Sequence, residues 1–534
     1  MQFARAAVVA FALSALSLAQ SPPPAQNPAA APVAAQEGEL RSKAFAAENA
    51  GRFGEAADAF LALARLDPQR HEWAVAAARC LGRSGRFKEA IDLLDTARKR
   101  FPDAVAVPGM LARTLLLQVE GDSGALHPEV ALADAIELAE GVLAVAPDDL
   151  DSRLVLAQAR YLSGDRAGAL QQAEEASRRH PGHAGAQTLI GRIAIDRFRV
   201  LLRQYQQDPG EGQVAADRVG AIDAERQRAR SAFQKAITID PARAHPHVAL
   251  GQLAALDQKL EVARGHFADA LTLDPDVAVD HDALLQGMDW QQRAAFYAQL
   301  RERYARGTTG KPAKASTLAF HEGRARYDGQ DWQGARKCLE QALADNPGAK
   351  NADYYLFLCA YRLDDHDAAE LHAVRYAGLG AAAFADVVRG VVGDQRAEIG
   401  AILQYLANRA WQQKRLPQSR DLNHVTACLR DSADAWNNHA FLCRETGDFE
   451  GAWSSYQHAL EKEPDSPQLL NDAAVILQYH RTSPENLGKA RGMYERAVQL
   501  ADKALADSRT TGELRARATQ AKADALANLA ALPK

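Results

Sequence analysis

Residues Ala435-Trp-Asn-Asn-His-Ala440 and Thr446-Gly-Asp-Phe-Glu-Gly-Ala-Trp-Ser-Ser-Tyr-Gln-His-Ala-Leu460, followed by Pro464, decide how this chain folds. Ala452, Tyr456 and Ala459 stand at i, i+4 and i+7, one apolar face of a helix. Gly447 precedes that helix and can take the left-handed conformation that closes the helix before it. Pro464 stops the second helix, because the residue ahead of a proline disfavours helical backbone. The stretch predicts two short helices joined by a tight turn.

The same spacing of an alanine and a proline twelve residues later recurs along the chain: Ala56/Pro68, Ala90/Pro102, Ala135/Pro147, Ala169/Pro181, Ala229/Pro241, Ala263/Pro275 and Ala335/Pro347. A second small residue lies 24 before the proline in six units, at Ala44, Ala78, Ala157, Gly251, Gly323 and Ala440, marking the middle of a preceding helix. Gly51, Gly85 and Gly164 repeat the break seen at Gly447. Pro102, Pro181 and Pro275 each follow the closing proline of the preceding unit, Pro68, Pro147 and Pro241, by 34 residues. A 34-residue helix-turn-helix with small residues at the crossing and a closing proline resembles the tetratricopeptide repeat. The resemblance covers about Glu37 to Leu505 and implies an all-α, right-handed superhelical solenoid of antiparallel hairpins.

Composition agrees with an array of helices. The 534 residues exceed what one core supports. Aromatics make up 7%, and Ala, Leu, Gln, Glu and Arg, which lose little freedom in a helix, dominate. With 63 basic and 68 acidic residues the net charge is -5, which supplies no global field for nucleic acid. The expected organisation is a signal peptide (1–19), a Pro/Ala-rich linker (20–36), an N-terminal array (37–275), an irregular helical connector (276–315), a C-terminal array with degenerate repeats (316–505), and a capping helix with tail (506–534). The signal rests on the uncharged run Ala6 to Ala19 and the small pair Ser17 and Ala19. It implies a periplasmic or extracellular protein with no integral membrane domain once the signal is cleaved; an uncleaved anchor is the alternative. Two insertions, Glu120 to Val130 and Tyr205 to Gly220, the second with Gln207-Asp-Pro-Gly-Glu-Gly breaking a long helix, read as solvated loops or partner-contacting loops. The five cysteines are odd in number and irregularly spaced, so a disulfide framework is not expected.

In the family the first helix of each hairpin lines a concave groove. Carried onto this sequence, that implies a donor column at Arg79, Arg113, Gln158, Arg192, Gln252 and Arg324, suited to an acidic or C-terminal peptide. The plainer reading is that these arginines are solvated or pair with Glu72 and neighbouring acids. Toward the C-terminus the groove positions are Asn437, Phe441, Arg444, Asn471 and Tyr479, where asparagine can clamp a peptide backbone. The lysines of a two-carboxylate clamp are missing beside Trp436.

A metal candidate is His424-x3-Cys428 with His439-x3-Cys443, each pair on one helical face, set against the alternative that the cysteines are small packing residues. His180, His183, His245 and His247 read as solvated linker histidines. No nucleophile elbow, phosphate loop or paired-acid motif stands outside the repeats. No cofactor is implied. The expected function is a non-enzymatic scaffold holding peptide or protein partners, in envelope assembly. The alternatives are a self-associating structural protein or, through the His/Cys quartet, a metal-dependent enzyme.

Overall fold

A computed structural model describes residues 30–121, 127–307, 312–391 and 393–533. The expected signal peptide lies outside the described residues. Among them the chain is all-α, with no strand, and divides into two compact units at Pro241/Ala242.

The first unit carries α1 (Ala30–Asn49), α2 (Phe53–Leu66), α3 (His71–Arg83), α4 (Phe87–Arg100), α5 (Ala106–Glu120), α6 (Pro128–Val145), α7 (Leu150–Leu162), α8 (Arg166–Arg179), α9 (Ala184–Gln207) and α10 (Gly212–Ile239). The second carries α11 (Ala244–Leu256), α12 (Leu260–Leu273), α13 (His281–Leu285), α14 (Trp290–Gly307), α15 (Pro312–Asp328), α16 (Trp332–Asp345), α17 (Asn351–Arg362), α18 (His366–Ala377), α19 (Ala381–Gly390), α20 (Gln395–Gln412), α21 (Leu416–Arg430), α22 (Ala433–Glu445), α23 (Phe449–Lys462), α24 (Pro467–Tyr479), α25 (Pro484–Ala506) and α26 (Gly512–Ala530). Consecutive helices pack as hairpins, and first helices of successive hairpins also touch, as in α3 with α5 and α5 with α7.

The hairpins are held by a size match at their crossings. Phe60, Leu94, Phe267, Leu339 and Tyr456 on second helices are fully buried, and the first-helix residues Ala44, Ala78 and Ala440 are too. Where the first helix has glycine the fit is closest: a Cβ on Gly251 would lie 2.5 Å from the Phe267 ring, and one on Gly323 2.7 Å from Leu339. Gly191 plays the same part against Phe233, at 2.6 Å. Burying each such phenylalanine contributes ~1.5–3 kcal/mol. At the turns Gly51, Gly85, Gly164 and Gly447 adopt positive φ, as their positions predicted. Gln258, Gln330 and Lys414 hold that conformation without being glycine.

Several segments differ from their sequence reading. In the Tyr205 to Gly220 stretch the Gln207 to Gly212 break stands where the sequence put it, but what it joins is two long helices and not a lengthened loop: α9 and α10 run for 24 and 28 residues and meet at a short turn around Asp208 to Glu211, with Gly210 and Gly212 at positive φ. Residues 122–126 of the other insertion lie outside the described residues. The helix α1 begins at Ala30, so the last part of the expected linker is helical. The 276–315 connector falls inside the second unit, where α14 buries Ala294, Tyr297, Leu300 and Tyr304 and packs on α12 and α15. His247 lies in the first turns of α11 and not in a linker; proline at position 246 is tolerated there because first-turn amides need no intrahelical partner. All five cysteines are free, and all but Cys428 are buried.

Candidate functional site

On the first-helix face of the first unit, the donor column is largely answered from within. Arg79 forms a two-pronged pair with Glu48 of α1, its Nε 3.0 Å from Oε1 and its Nη2 3.1 Å from Oε2. Glu48, and not Glu72, is its partner, so the pair bridges α1 and α3. Gln158 donates to Glu120 at 2.8 Å. Arg192 sits 5.5 Å over the Tyr161 ring, whose hydroxyl donates to Asp196. Arg113 is the loosest member, 3.7 Å from Asp151 with both side chains exposed, a pair worth ~0–1 kcal/mol. This face is a ladder of donors and acids and not a cationic strip.

In the second unit, Gln252 is partly buried on α11, and Arg324 is exposed on α15. Around Arg324 lie His281, Tyr297, His321, Asp328 and Tyr355, with Tyr297 stacked on His321 at 5.1 Å and His281 4.7 Å from His321. Burial pushes His321 down to about 4, so it is neutral at ordinary pH.

Further along, exposed aromatic rings replace the ladder. Trp411 of α20 meets Phe441 of α22 edge-on at 5.5 Å, and the Arg444 guanidinium lies 5.1 Å over Phe441. Trp411, Tyr405 and Tyr479 are 44%, 43% and 54% exposed. Of these, Trp411 and Tyr405 escaped the sequence reading, because α20 belongs to a degenerate hairpin with Lys414 at its turn and no closing proline to set the frame.

Asn437 and Asn471 have separate fates. Asn471 is buried under α26: its Oδ1 accepts from Asn528 Nδ2 at 2.9 Å and its Nδ2 donates to Asp472 at 3.1 Å. Asn437 faces a cleft of about 280 Å³ walled by α22, the start of α24 and α26, among Asp434, Gln468, Leu514 and Arg517. Its Oδ1 is buried and meets no hydrogen-bond donor among the described residues. An orphaned amide oxygen of this kind costs ~1–3 kcal/mol until a donor arrives.

The His/Cys quartet only partly converges. The rings of His424 and His439 stack at 4.2 Å and 10°. His439 bonds through Nδ1 to Ser455 Oγ at 2.9 Å and through Nε2 to Cys443 Sγ at 3.3 Å. Cys428 packs instead among apolar residues at the α21–α22 end. Burial pushes Cys443 up to about 12 and His439 down to about 3, so the group rests as neutral thiol and neutral imidazole. The quartet is not among the groups whose ligand atoms converge; the trio that does, among the described residues, is His247, His266 and Asp269.

Two sequence models, each described as tetratricopeptide repeat, match residues 49–118 and 320–386. The chain therefore contains tetratricopeptide repeats, which generally mediate protein–protein interactions. No curated protein matches it. Among solved structures it is similar to TTC0263, a tetratricopeptide-repeat protein of Thermus thermophilus, at 20% identity over 44% of this chain and 98% of that one, with a TM-score of 0.29. It is also similar to the Cut9–Hcn1 hetero-tetramer of the APC/C, at 12% over 92% of this chain and 98% of that one, TM-score 0.29. A monomeric IFIT1 mutant with Gppp-AAAA aligns at 14% over 77% of this chain and 67% of that one, TM-score 0.34. No described helix is long and apolar enough to cross a membrane.

Proposed function

We propose that the chain is a non-enzymatic scaffold that seats an extended segment of a partner protein on its first-helix face, with the Asn437 cleft as the principal anchor. The observation that carries this reading is Asn437, which lines an open cleft and whose amide oxygen meets no hydrogen-bond donor among the described residues. A peptide backbone amide is the donor that fits it, because such an amide is present at nearly every residue whatever the side chain. The exposed Trp411, Tyr405 and Tyr479 offer flat apolar area for ligand side chains, and Arg444 beside Phe441 offers a charged edge. A pre-formed cleft also spares the scaffold most of the ordering cost of binding.

The run Ala6 to Ala19 supports action after export, in the periplasm or outside the cell, where envelope assembly is the setting we favour. Fractionation of cells expressing the full chain tests that part, and retention in the cytoplasm would defeat it. For the cleft, peptides are selected from a displayed random library against the wild-type chain. Their affinity should fall ~10-fold on Asn437→Ala, the scale of one hydrogen bond to a buried group. Selected peptides that bind Asn437→Ala unchanged would remove the cleft from the reading.

A further inference from the structure

We propose that His247, His266 and Asp269 form a binding site for a divalent first-row transition metal of the zinc class. His247 stands on α11, while His266 and Asp269 lie three residues apart on one face of α12, so one rigid hairpin supplies all three groups. One ligand atom from each lies within 4.8 Å of the other two, and His247 Nδ1 is 3.8 Å from Asp269 Oδ2. The imidazole centroids are 5.9 Å apart with planes at 53°, so the rings are not stacked and each can turn a nitrogen toward a common point. Zinc bonds of ~2.0–2.2 Å bring tetrahedral ligand atoms to ~3.3–3.6 Å from one another. Closing the trio on an ion therefore draws ligand atoms that lie within 4.8 Å of one another together by at most ~1.5 Å.

A second observation points to a ligand. His247 Nδ1 is buried and meets no hydrogen-bond partner among the described residues, although the side chain is only 12% exposed. Such a nitrogen is normally satisfied by a proton acceptor, a donor or a metal. The carboxylate is already oriented: Arg303 of α14 donates to Asp269 Oδ1 at 3.0 Å, leaving Oδ2 turned toward His247. Ligating carboxylates are commonly held in this way by a partner behind them. Arg303 is half exposed, so its charge is screened and opposes the ion only weakly.

Two imidazoles and one carboxylate select zinc, cobalt, nickel or copper over magnesium and calcium, which prefer oxygen throughout. Three protein ligands leave a fourth position for water. In this chain the ion would tie α11 to α12 at the start of the second unit.

The test is calorimetric titration of the chelator-treated full chain with zinc chloride. The expected result is one saturable site, weakened by more than ~100-fold in His266→Ala and in His247→Ala, a larger loss than changes to the groups behind metal ligands give. The paired variant His424→Ala/Cys443→Ser should bind as the wild type does. Because the His247 change falls in a buried position, the histidine ring-nitrogen resonances of the wild-type chain supply a reading that needs no variant: those of His247 and His266 should move on adding zinc. Absence of saturable zinc or cobalt binding to the wild type would overturn the proposal. So would binding that survives both substitutions, or that disappears with the His424/Cys443 pair.

Discussion

The first-helix face of α3 to α9 and that of α20 to α24 are built on one backbone plan and offer opposite chemistry. In the former, each donor has an acid or a ring beside it, as in Arg79 with Glu48, Gln158 with Glu120 and Arg192 over Tyr161. In the latter, Trp411 and Tyr479 stand open, and Asn437 holds an unanswered oxygen. A face whose polar groups already satisfy one another gains little by exchanging those bonds for a ligand's. A face left with an orphan and bare rings gains from almost any complementary segment. The repeat supplies the positions, and the residues placed there decide which part of the array is sticky.

The largest effect tests whether the two units are independent. Phe60→Ala in the first and Tyr456→Ala in the second each leave a cavity at a helix crossing, and each should cost ~3–5 kcal/mol. Scanning calorimetry should resolve two transitions, with each variant lowering only its own. A single transition lowered by both would merge the units into one cooperative block.

Acid should separate the units next. Burial holds His321 at about 4 and His439 at about 3 in the folded second unit, while in the unfolded chain both titrate near ~6.5. Between those values the unfolded state binds more protons, so stability falls as pH falls. Each histidine removes ~1.4 kcal/mol per pH unit in that window, and the loss levels off below its folded value. Thermal melts from about pH 7 to about pH 5 should show the second unit's transition dropping, with a shallower slope in His439→Gln.

The donor ladder answers to a smaller change. Glu48→Gln leaves Arg79 without its charged partner and should cost ~0.5–1.5 kcal/mol, with part of the loss recovered in the double variant Glu48→Gln/Arg79→Met. Urea unfolding followed by a first-unit probe reads this. Smallest of all, Lys414→Gly should stabilise by ~0.5–1 kcal/mol, since its φ of 60° suits glycine and strains lysine. No gain on that change would mean that the lysine side chain contributes contacts that offset the strain.

What the sequence made legible followed from how local each signal is. Ala56 and Pro68, or Ala452 and Pro464, lie within one helix and its end, so their spacing reports the hairpin directly. Gln207 to Gly212 marks the break between α9 and α10, but a turn signal as strong as Asp208-Pro-Gly does not tell a tight turn between long helices from a lengthened loop. The Glu48–Arg79 pair spans 31 residues and depends on how neighbouring hairpins stack, which one repeat does not encode. The His424/Cys428/His439/Cys443 arithmetic places the helices correctly as antiparallel but misses the phase, so His424 meets His439 and Cys428 turns to the apolar side. His247 hides in the sequence because Pro246 suggests a linker and its acid, Asp269, sits on the following helix. Asking which residues of a second helix face the first would bring His266 and Asp269 beside it.

The size match at the crossings also bears on how such a chain avoids confusion while it folds. Near-identical hairpins invite pairing with the wrong neighbour, a common route to trapped states in repeat proteins. Here the partners differ from hairpin to hairpin: Gly251 with Phe267, Gly323 with Leu339, Ala440 with Tyr456. Seating Leu339 against Gly251 would leave a void where the Phe267 ring belongs, and seating Phe267 against Gly323 would press a ring into the space of a smaller side chain. The mismatch disfavours exchanging these helices between unlike crossings, whereas like pairs such as Gly191 with Phe233 and Gly251 with Phe267 are not told apart by size.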